Sequence, residues 1–364
     1  MRVLWLSHSA RVGGAELSLA EGAKALSLRG HECHVVLPRE GPLADRVGEW
    51  AEVQVIAHNP WLAYHRSPVI SARWAQYNLR RAAPDIARMG RRITADLVVT
   101  NTITVPTGAV AARLARLPHV WFLHEFGSED HGLYYLAGRR PTLLLMRALT
   151  DLFLVSSTAL RSFHAPKLHG RPVHVVHYSV EVPDLTVTPA DSTAFRVILL
   201  GAKLPGKGHL DAIAAVAELA RAGMDVQLDL VGGGSAEYEA ELRRRVRGEG
   251  LDDRVRFVGF RADALSLLAS SDVALMCSRS EAFGRVTVEA MKLARPVVGS
   301  ASGATPRVDP TRMERLSVPT GRPERPRPLA AGTARRPKDG DGPQWAGVGY
   351  WTVHGGRIRR WPGA

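Results

Sequence analysis

The sequence predicts an α/β protein with two doubly wound domains, each a parallel sheet with helices on both faces. Short apolar strands alternate with helix-forming stretches along most of the chain, and glycine-rich loops follow several of the strands. A length of 364 residues suffices for two domains with full cores. Because ligands of such sheets bind beyond the carboxyl ends of the strands, candidate functional residues are expected in the loops that leave those ends.

The composition excludes several classes of protein. An apolar fraction of 45% is that of a globular chain, and no apolar run reaches the roughly 18 residues of a membrane span. The first residues enter a strand pattern directly, so no signal peptide is expected. Cys33 and Cys277 form no CxxC motif, so we expect no disulfide, no structural zinc and a reducing, cytoplasmic location.

The net charge of +13 is unevenly distributed along the chain. The segment from Arg307 onward holds twelve Arg and Lys against five Asp and Glu, which is about half of the excess. The whole chain has only six lysines among its many basic residues, which favours a compositional bias over a surface designed for polyanions. No nucleic-acid partner is expected; the rival interpretation, a basic RNA binder, predicts salt-dependent association through this tail.

The first half begins with a strand at residues 2–6, a loop containing Gly13 and Gly14, and a helical pattern from Leu17. Paired glycines before a helix suit a phosphate, but the GxGxxG spacing is absent, so an ordinary turn explains them equally well. Later strands are predicted at 53–57, 96–100, 120–123, 152–156 and 173–176. Asn101 follows one of these and His124 another, and His124 is the stronger candidate for a functional side chain.

The segment 66–92 is basic and amphipathic. Arginines alternate there with Trp74, Tyr77 and Leu79, while Pro84 interrupts the pattern. It fits a helix that rests on an anionic membrane, such as the inner surface of the cell membrane, and it fits an ordinary solvated face as well.

A second domain is predicted from residue 193, after a polar stretch with proline. Its first strand, 195–200, leads into Gly201-Ala-Lys-Leu-Pro-Gly-Lys207, which matches the G-x-x-x-x-G-K of nucleoside triphosphatases. Gly208 stands where a magnesium-binding hydroxyl should follow, and Pro205 removes one cradling N–H, so a triphosphatase is not expected. Further βα units carry a glycine turn at 232–234 and a strand ending at Phe260.

The stretch Glu281-Ala-Phe-Gly-Arg-Val-Thr-Val-Glu289 is predicted to follow a strand and to open a helix. The backbone amides of Phe283, Gly284 and Arg285, together with the helix dipole, can hold a diphosphate. Glu281 can then accept hydrogen bonds from sugar hydroxyls and Glu289 from a ribose diol, and neither carboxylate needs a metal. A surface helix with two solvated glutamates has the same spacing.

Six short motifs occur in a fixed order: G-G-A-E at 13–16, H-E at 124–125, K-G at 207–208, G-G-G at 232–234, V-x-F-x-G-F at 255–260 and E-x7-E at 281–289. In this order they resemble glycosyltransferase family 4, whose members are retaining enzymes of the GT-B fold. The resemblance implies two facing Rossmann-like domains with a cleft between them, 1–182 for the acceptor and 193–306 for the donor. It implies transfer from a nucleoside diphosphate sugar to an acceptor that the sequence does not identify, without a metal or other cofactor.

The resemblance also implies roles for individual residues. It places His124 beside the transferred sugar, Lys207 on the leaving diphosphate and Glu281 on the sugar. Lys203 is the expected substitute for an arginine that the family commonly has earlier in this loop. The implied donor-binding residues are Gly13, Gly14, Lys203, Gly233, Phe260, Phe283, Gly284, Arg285 and Glu289.

The resemblance stops after Pro306, where Arg307 replaces the family's usual acidic residue. The run Arg322-Pro-Glu-Arg-Pro-Arg-Pro328 excludes a long helix, and the D-x-D at Asp339 and Asp341 lacks a preceding strand, so we discount it as a metal motif. We expect the tail 307–364 to be disordered or translated out of frame, which leaves the second domain incomplete. The alternative to an active transferase is therefore a catalytically silent sugar-nucleotide-binding protein.

Overall fold

The computed structural model describes residues 1–63, 68–132, 134–185, 194–300, 302–304, 351–354 and 357–360. The chain divides into two compact units, Met1–Ser179 and Val180–Ala364. Each unit contains a sheet that is wholly or mostly parallel, flanked by helices, so the predicted α/β fold class is confirmed.

The first unit alternates strands and helices as the apolar pattern predicts, and a π-helical turn at Asn78–Ala82 joins its third and fourth helices. In chain order its elements are β1 (Arg2–Ser7), α1 (Gly14–Ser27), β2 (Glu32–Leu37), α2 (Pro42–Val47), β3 (Glu52–Val55), β4 (Leu62–Ala63), α3 (Pro68–Tyr77), α4 (Ala83–Arg92), β5 (Leu97–Asn101), α5 (Thr107–Ala115), β6 (His119–Leu123), α6 (Ser128–His131), β7 (Tyr134–Tyr135), α7 (Arg139–Leu149), β8 (Leu152–Val155), α8 (Thr158–His164) and β9 (Val173–Val175).

The large sheet of this unit has the strand order β3-β2-β1-β5-β6-β8-β9, with all strands parallel. Alternate residues of β1 face two cores: Val3 and Trp5 pack on the side of α1, and Leu4 and Leu6 pack on the side of α4 and α5. The chain crosses over between β1 and β5, where Ser7 lies opposite Asn101. Loops that leave these two strands therefore meet at the usual ligand-binding edge.

The second unit repeats this plan. Its elements are β10 (Phe195–Leu200), α9 (His209–Arg221), β11 (Val226–Val231), α10 (Ala236–Gly248), β12 (Val255–Gly259), α11 (Ala264–Ala269), β13 (Val273–Met276), α12 (Arg285–Lys292), β14 (Val297–Gly299), β15 (Trp351–His354) and β16 (Arg357–Arg360). A 3₁₀ turn at Pro205–Lys207 precedes α9.

Strand order in the second sheet is β12-β11-β10-β13-β14-β15-β16. Val197 and Leu199 face a core beneath α9 and α10, whereas Ile198 faces the side of α11 and α12. The crossover lies between β10 and β13, whose Val197 and Val273 are paired. Two loops meet at this point, residues 201–208 after β10 and residues 277–284 after β13.

Part of the tail differs from the expectation. β15 runs parallel to β14, with Trp351 opposite Val298, and β16 runs antiparallel to β15. The sequence did not indicate these two strands. The proline-rich run and the D-x-D motif lie outside the described residues, so disorder or a changed frame there stays a prediction.

Candidate functional site

The loop 201–208 after β10 is held from both sides by backbone contacts. The N–H of Gly201 donates to the Val231 carbonyl at the end of β11 (2.9 Å), and the N–H of Arg279 donates to the Gly206 carbonyl (2.9 Å). Gly208 has φ of 72°, and a Cβ atom there would lie 2.2 Å from the Cys277 carbonyl oxygen. A side chain at this position is therefore excluded, which is the structural reason for the missing hydroxyl of the triphosphatase motif.

Lys207 and Glu281 meet at the crossover of the second sheet. Lys207 Nζ lies 3.0 Å from Glu281 Oε2, and the lysine side chain remains 30% exposed. The other carboxylate oxygen, Oε1, accepts a hydrogen bond from the Gly284 N–H (3.3 Å) at the start of α12. An ammonium group and a helix N-terminus thus converge on one carboxylate, as they would on a bound anion. We call this group of Lys207, Glu281 and Gly284 the anion corner.

The helix α12 starts after Gly284, with Glu281 in the loop before it and Glu289 inside it. Gly284 has φ of 86°, a conformation that glycine adopts without strain. Arg285 Nε lies 3.0 Å from Glu289 Oε1, one helical turn away, and both side chains are largely buried. Phe283, two residues before α12, is also buried. Glu289 is therefore no solvated surface residue; its role in binding a ribose stays a prediction.

Lys203 lies in the same loop as Lys207 but faces the other way. Its side chain is 2% exposed, its Nζ donates to the Gly232 carbonyl (2.5 Å), and Glu239 Oε2 of α10 lies 3.1 Å away. The ammonium group is thus already satisfied by the glycine turn and by α10. Its predicted contact with the donor diphosphate stays a prediction, and it would require these bonds to break.

Two other predicted donor-binding positions flank β11 and β12. At Gly233, in the turn after β11, a Cβ atom would meet no other atom within 4 Å. Phe260 follows β12 and is 76% exposed, which is unusual for a large apolar side chain. Next to it, Arg261 forms two hydrogen bonds to Asp263 (2.7 and 2.6 Å). Both predicted positions are open to solvent in this unit.

His209 is a neighbour that sequence reasoning missed. It is the first residue of α9 and fully buried, with its ring edge-on to Tyr238. Burial lowers the pKa of its imidazole to about 4, and the charges of Lys203 and Lys207 contribute to this lowering. The imidazole is therefore neutral at physiological pH. Its position directly after Lys207-Gly208 is the only sequence signal that could have pointed to it.

In the first unit, His124 is buried at the end of β6 with both ring nitrogens engaged. Nδ1 lies 2.6 Å from the Tyr178 hydroxyl, and Nε2 lies 2.6 Å from Asn101 Oδ1. The Asn101 amide in turn donates to the Ala15 carbonyl (2.9 Å). Burial lowers the pKa of His124 to about 3. Tyr178, 54 residues away in sequence, could not be foreseen as its partner.

Glu125, next to His124, is also fully buried. Its Oε2 accepts the N–H groups of Ile103 (3.1 Å) and His124 (3.2 Å), and burial raises its pKa to about 8. A carboxyl group at this strand end is therefore protonated at neutral pH. It holds the loop after β5 against the end of β6.

Gly13 and Gly14 open α1, but a carboxylate of the same helix already uses the amide of Gly13. Glu16 is the third residue of α1, and its side chain folds back towards Gly13. The Glu16 carboxyl group accepts a hydrogen bond from the Gly13 N–H. Its Oε2 is so close that a Cβ atom on Gly13 would lie 2.7 Å from it. Its Oε1 lies 3.3 Å from His8 Nδ1. Burial raises the pKa of Glu16 to about 7. Whether donor phosphates reach these glycines stays a prediction.

The described residues lack two kinds of feature. They hold no group of three or more His, Cys, Asp or Glu side chains arranged for a metal ion. Over the same ranges, no helix combines the length and apolar character needed to cross a bilayer.

Two families of known proteins match the chain. The family described as Glycosyltransferase Family 4 matches residues 12–182, and the family described as Glycosyl transferases group 1 matches residues 194–330. The second match extends beyond residue 306, where the visible motifs end. The first match covers most of the first unit, and the second match covers the greater part of the second unit.

The chain is similar to several characterised transferases. It is 27% identical to the 2-deoxystreptamine glucosyltransferase of Streptomyces kanamyceticus over 62% of this chain and 64% of the relative. It is 38% identical to the N-acetyl-alpha-D-glucosaminyl L-malate synthase of Bacillus anthracis, over 23% of this chain and 22% of that protein. The chain thus spans less than two thirds of the length of either relative.

Among solved structures, the chain is similar to Alr3699/HepE from Anabaena. The complex of that protein with UDP-glucose matches with a TM-score of 0.67 at 25% identity, over 85% of this chain and 83% of HepE. The same protein has also been solved with UDP. The likeness covers both units, and it confirms the doubly wound fold of each.

Proposed function

This chain belongs to glycosyltransferase family 4 and has the GT-B fold, and from that premise we propose that it transfers a sugar from a UDP-sugar to an acceptor hydroxyl. The anion corner carries the proposal, because it brings a lysine, a glutamate and a helix N-terminus together at the crossover of the second sheet. The UDP and UDP-glucose complexes of HepE support uridine as the base. We further propose that transfer retains the anomeric configuration and needs no metal ion.

The anion corner supplies the chemistry that departure of a diphosphate requires. In the proposed mechanism the diphosphate replaces the Glu281 carboxylate opposite Lys207 and the Gly284 amide, and these groups stabilise its developing charge. Displaced from the corner, Glu281 accepts hydrogen bonds from the sugar hydroxyls. In the ligand-free protein, the Glu281 carboxylate would thus hold Lys207 and the Gly284 amide in place until the donor binds.

For His124 we propose a role in shaping the sugar-facing edge of the first unit. Its two hydrogen bonds fit a neutral ring that donates from Nε2 to Asn101 and accepts at Nδ1 from Tyr178. Its low pKa argues against proton uptake near neutral pH. His124 would then fix the position of Asn101 and would not exchange protons with the acceptor.

Calorimetric titration with UDP and GDP, followed by assays of donor hydrolysis and sugar transfer, tests this function. We expect UDP to bind more tightly than GDP, and UDP-sugars to be turned over equally well with and without EDTA. Binding without turnover would favour the silent sugar-nucleotide-binding protein. Failure to bind either nucleotide would contradict both functions, and loss of activity in EDTA would contradict a metal-independent reaction.

We also propose that the helical segment α3–α4 contacts an anionic membrane. Tyr77 and Leu79 are exposed on it, next to the exposed arginines Arg73, Arg80 and Arg81. Apolar side chains among cations suit the boundary between headgroups and acyl chains. Co-sedimentation with liposomes containing phosphatidylglycerol, but not with neutral ones, is the expected result. Equal recovery from both lipid mixtures would show that the face is merely solvated.

A further inference from the structure

Lys203 is a buried charge in the loop after β10 of the second unit. With 2% of its side chain exposed, it needs partners inside the protein, because burying an unpaired ammonium group is strongly unfavourable. The Gly232 carbonyl (2.5 Å) and Glu239 Oε2 (3.1 Å) are those partners. Glu239 also binds Arg243 (2.7 Å), one turn further along α10. The charge of Lys203 is therefore neutralised from the side of α10.

Backbone contacts join Lys203 to the same glycine turn. Its N–H donates to the Gly233 carbonyl (2.6 Å), and it forms an isolated parallel bridge with Gly234. A Cβ atom on Gly234 would lie 2.5 Å from Lys203 Cβ, and one on Gly232 would lie 1.9 Å from the Gly201 carbonyl oxygen. The turn 232–234 is thus packed directly against the loop 201–208, and the ammonium group closes the contact.

The strand order separates the neighbours of this loop. β10 lies between β11 and β13, so the loop 201–208 has the glycine turn on one side and the anion corner on the other. Lys207 contacts Glu281 in the anion corner, whereas Lys203 donates a hydrogen bond to the Gly232 carbonyl in the turn. A nucleotide whose diphosphate occupies the corner has the turn as the neighbouring surface for its nucleoside, and Gly233 leaves open space there.

We infer that Lys203 is a positioning residue of the donor site, which fixes the turn 232–234 and so acts on the nucleoside half of the donor without touching the diphosphate. This role presupposes the proposed function, because it needs a nucleotide at the anion corner. It differs from the role that the sequence suggested, a second cation for the diphosphate. When Lys203 is replaced, the two roles predict different changes in the binding of uridine and of pyrophosphate, the two halves of UDP.

Calorimetry with uridine, UDP and inorganic pyrophosphate separates the two roles. Lys203→Met keeps the length of the side chain and removes its charge. We expect this substitution to weaken the binding of uridine and the binding of UDP by the same factor, roughly tenfold. This is the scale of one lost hydrogen bond to a charged group. Pyrophosphate should bind as it does to the wild type. Lys207→Ala is the matched control, and it should weaken UDP and pyrophosphate but not uridine.

Two outcomes would overturn the inference. If Lys203→Met weakens the binding of UDP and of pyrophosphate but leaves the binding of uridine unchanged, Lys203 contacts the diphosphate directly. If none of the three ligands is affected, Lys203 has no part in the donor site. In steady-state assays the positioning role predicts a raised donor KM at constant kcat for Lys203→Met, and a lowered kcat for Lys207→Ala.

Two further measurements guard against a misfolded variant and against failure of the proposed function. Glu239→Gln removes the charged partner of Lys203 at a half-buried site. It should weaken the binding of uridine and of UDP as Lys203→Met does, but by a smaller factor. Amide hydrogen exchange of the ligand-free protein should be faster at 232–234 in both variants and unchanged at Gly284. A wild type that binds neither uridine nor UDP would contradict the proposed function. Unchanged exchange at 232–234 in both variants would show that Lys203 does not fix this turn.

Discussion

Two helices of this protein begin in the same way, one in each unit. α1 starts after Gly13 and α12 after Gly284, and in both places a glutamate of the chain accepts the glycine N–H. Glu16 reaches back from the third position of its helix, whereas Glu281 reaches forward from the preceding loop. Both side chains accept a hydrogen bond from an amide that the start of the helix would otherwise leave unpaired.

The two helix starts differ in the group that faces the carboxylate. Glu281 faces the ammonium of Lys207 at 3.0 Å, and Glu16 faces His8 at 3.3 Å. Burial raises the pKa of Glu16 to about 7, so its charge changes near neutral pH. The same local arrangement thus places a lysine ammonium group opposite the carboxylate in the second unit and forms a proton-dependent helix cap in the first. Substitutions at the two helix starts should therefore have different consequences.

Breaking the anion corner should have the largest effect. Lys207→Ala and Glu281→Ala should each lower the rate of sugar transfer by about a hundredfold or more, the scale of losing one preorganised stabilising group. The measurement is kcat/KM for the UDP-sugar. Lys292→Ala, at the far end of α12, is the control and should keep the wild-type rate. Near-normal turnover in both corner variants would refute the assignment of this site.

The cap of α1 should make stability depend on pH. Because the pKa of Glu16 is about 7 in the folded protein and 4.5 for an unperturbed glutamate, the unfolded chain loses this proton first as pH rises. The contribution of Glu16 to stability is therefore full below pH 4.5 and declines up to about pH 7, by roughly 2 to 3 kcal/mol. Glu16→Gln should remove that decline in urea unfolding measured from about pH 5 to about pH 8.

Other ionisable groups lie near Glu16, so the comparison is between variants. His8 and Glu125 interact with Glu16, so the difference between the wild type and Glu16→Gln measures the Glu16 carboxyl group together with its coupling to these two groups. Glu40→Gln replaces an exposed carboxylate in the same unit and should leave the pH dependence as it is. A Glu16→Gln profile parallel to that of the wild type would show that the carboxylate titrates normally.

Adding a methyl group at the two glycines should have the smallest effect, and it should differ between them. Gly284→Ala places a side chain at φ of 86° and should lower the free energy of unfolding by about 1 to 2 kcal/mol. Gly13 has φ of −133°, so alanine fits the backbone there, but its Cβ would displace the Glu16 carboxylate. At about pH 8 we expect Gly13→Ala to lower the free energy of unfolding by less than Gly284→Ala does. Gly13→Ala should also flatten the pH dependence of stability. Equal losses in both variants would show that backbone strain does not separate the two turns.

Much of the fold could be predicted because the strands are continuous apolar runs bounded by polar residues. β10 begins and ends at the predicted residues 195–200, and β1 and β6 match their predicted ranges to within one residue. The two-residue strands β4 and β7 were missed because such short pairs carry no alternation. β15 and β16 were missed because the composition of the tail resembles a disordered segment.

The candidate site was predicted less completely than the fold. Gly208 and Gly284 could be recognised, because a glycine at a loop-to-helix boundary marks a backbone constraint. The orientation of Lys203 could not, since lysine is rarely buried and a sequence pattern assigns it to solvent. The same holds for His209 and Tyr178, whose contacts are made by packing between distant segments.

The sequence by itself determined that strands and helices alternate and that glycines follow particular strands, because apolar periodicity and glycine conformation are local properties. Only the tertiary structure decided that β10 lies beside β13, which brings Lys207 within 3.0 Å of Glu281 across 74 residues. It also decided which of two lysines in one loop stays exposed and which is buried against Gly232. Burial and partners set the charge and reach of an ionisable group, and both arise from packing between segments that are distant in sequence.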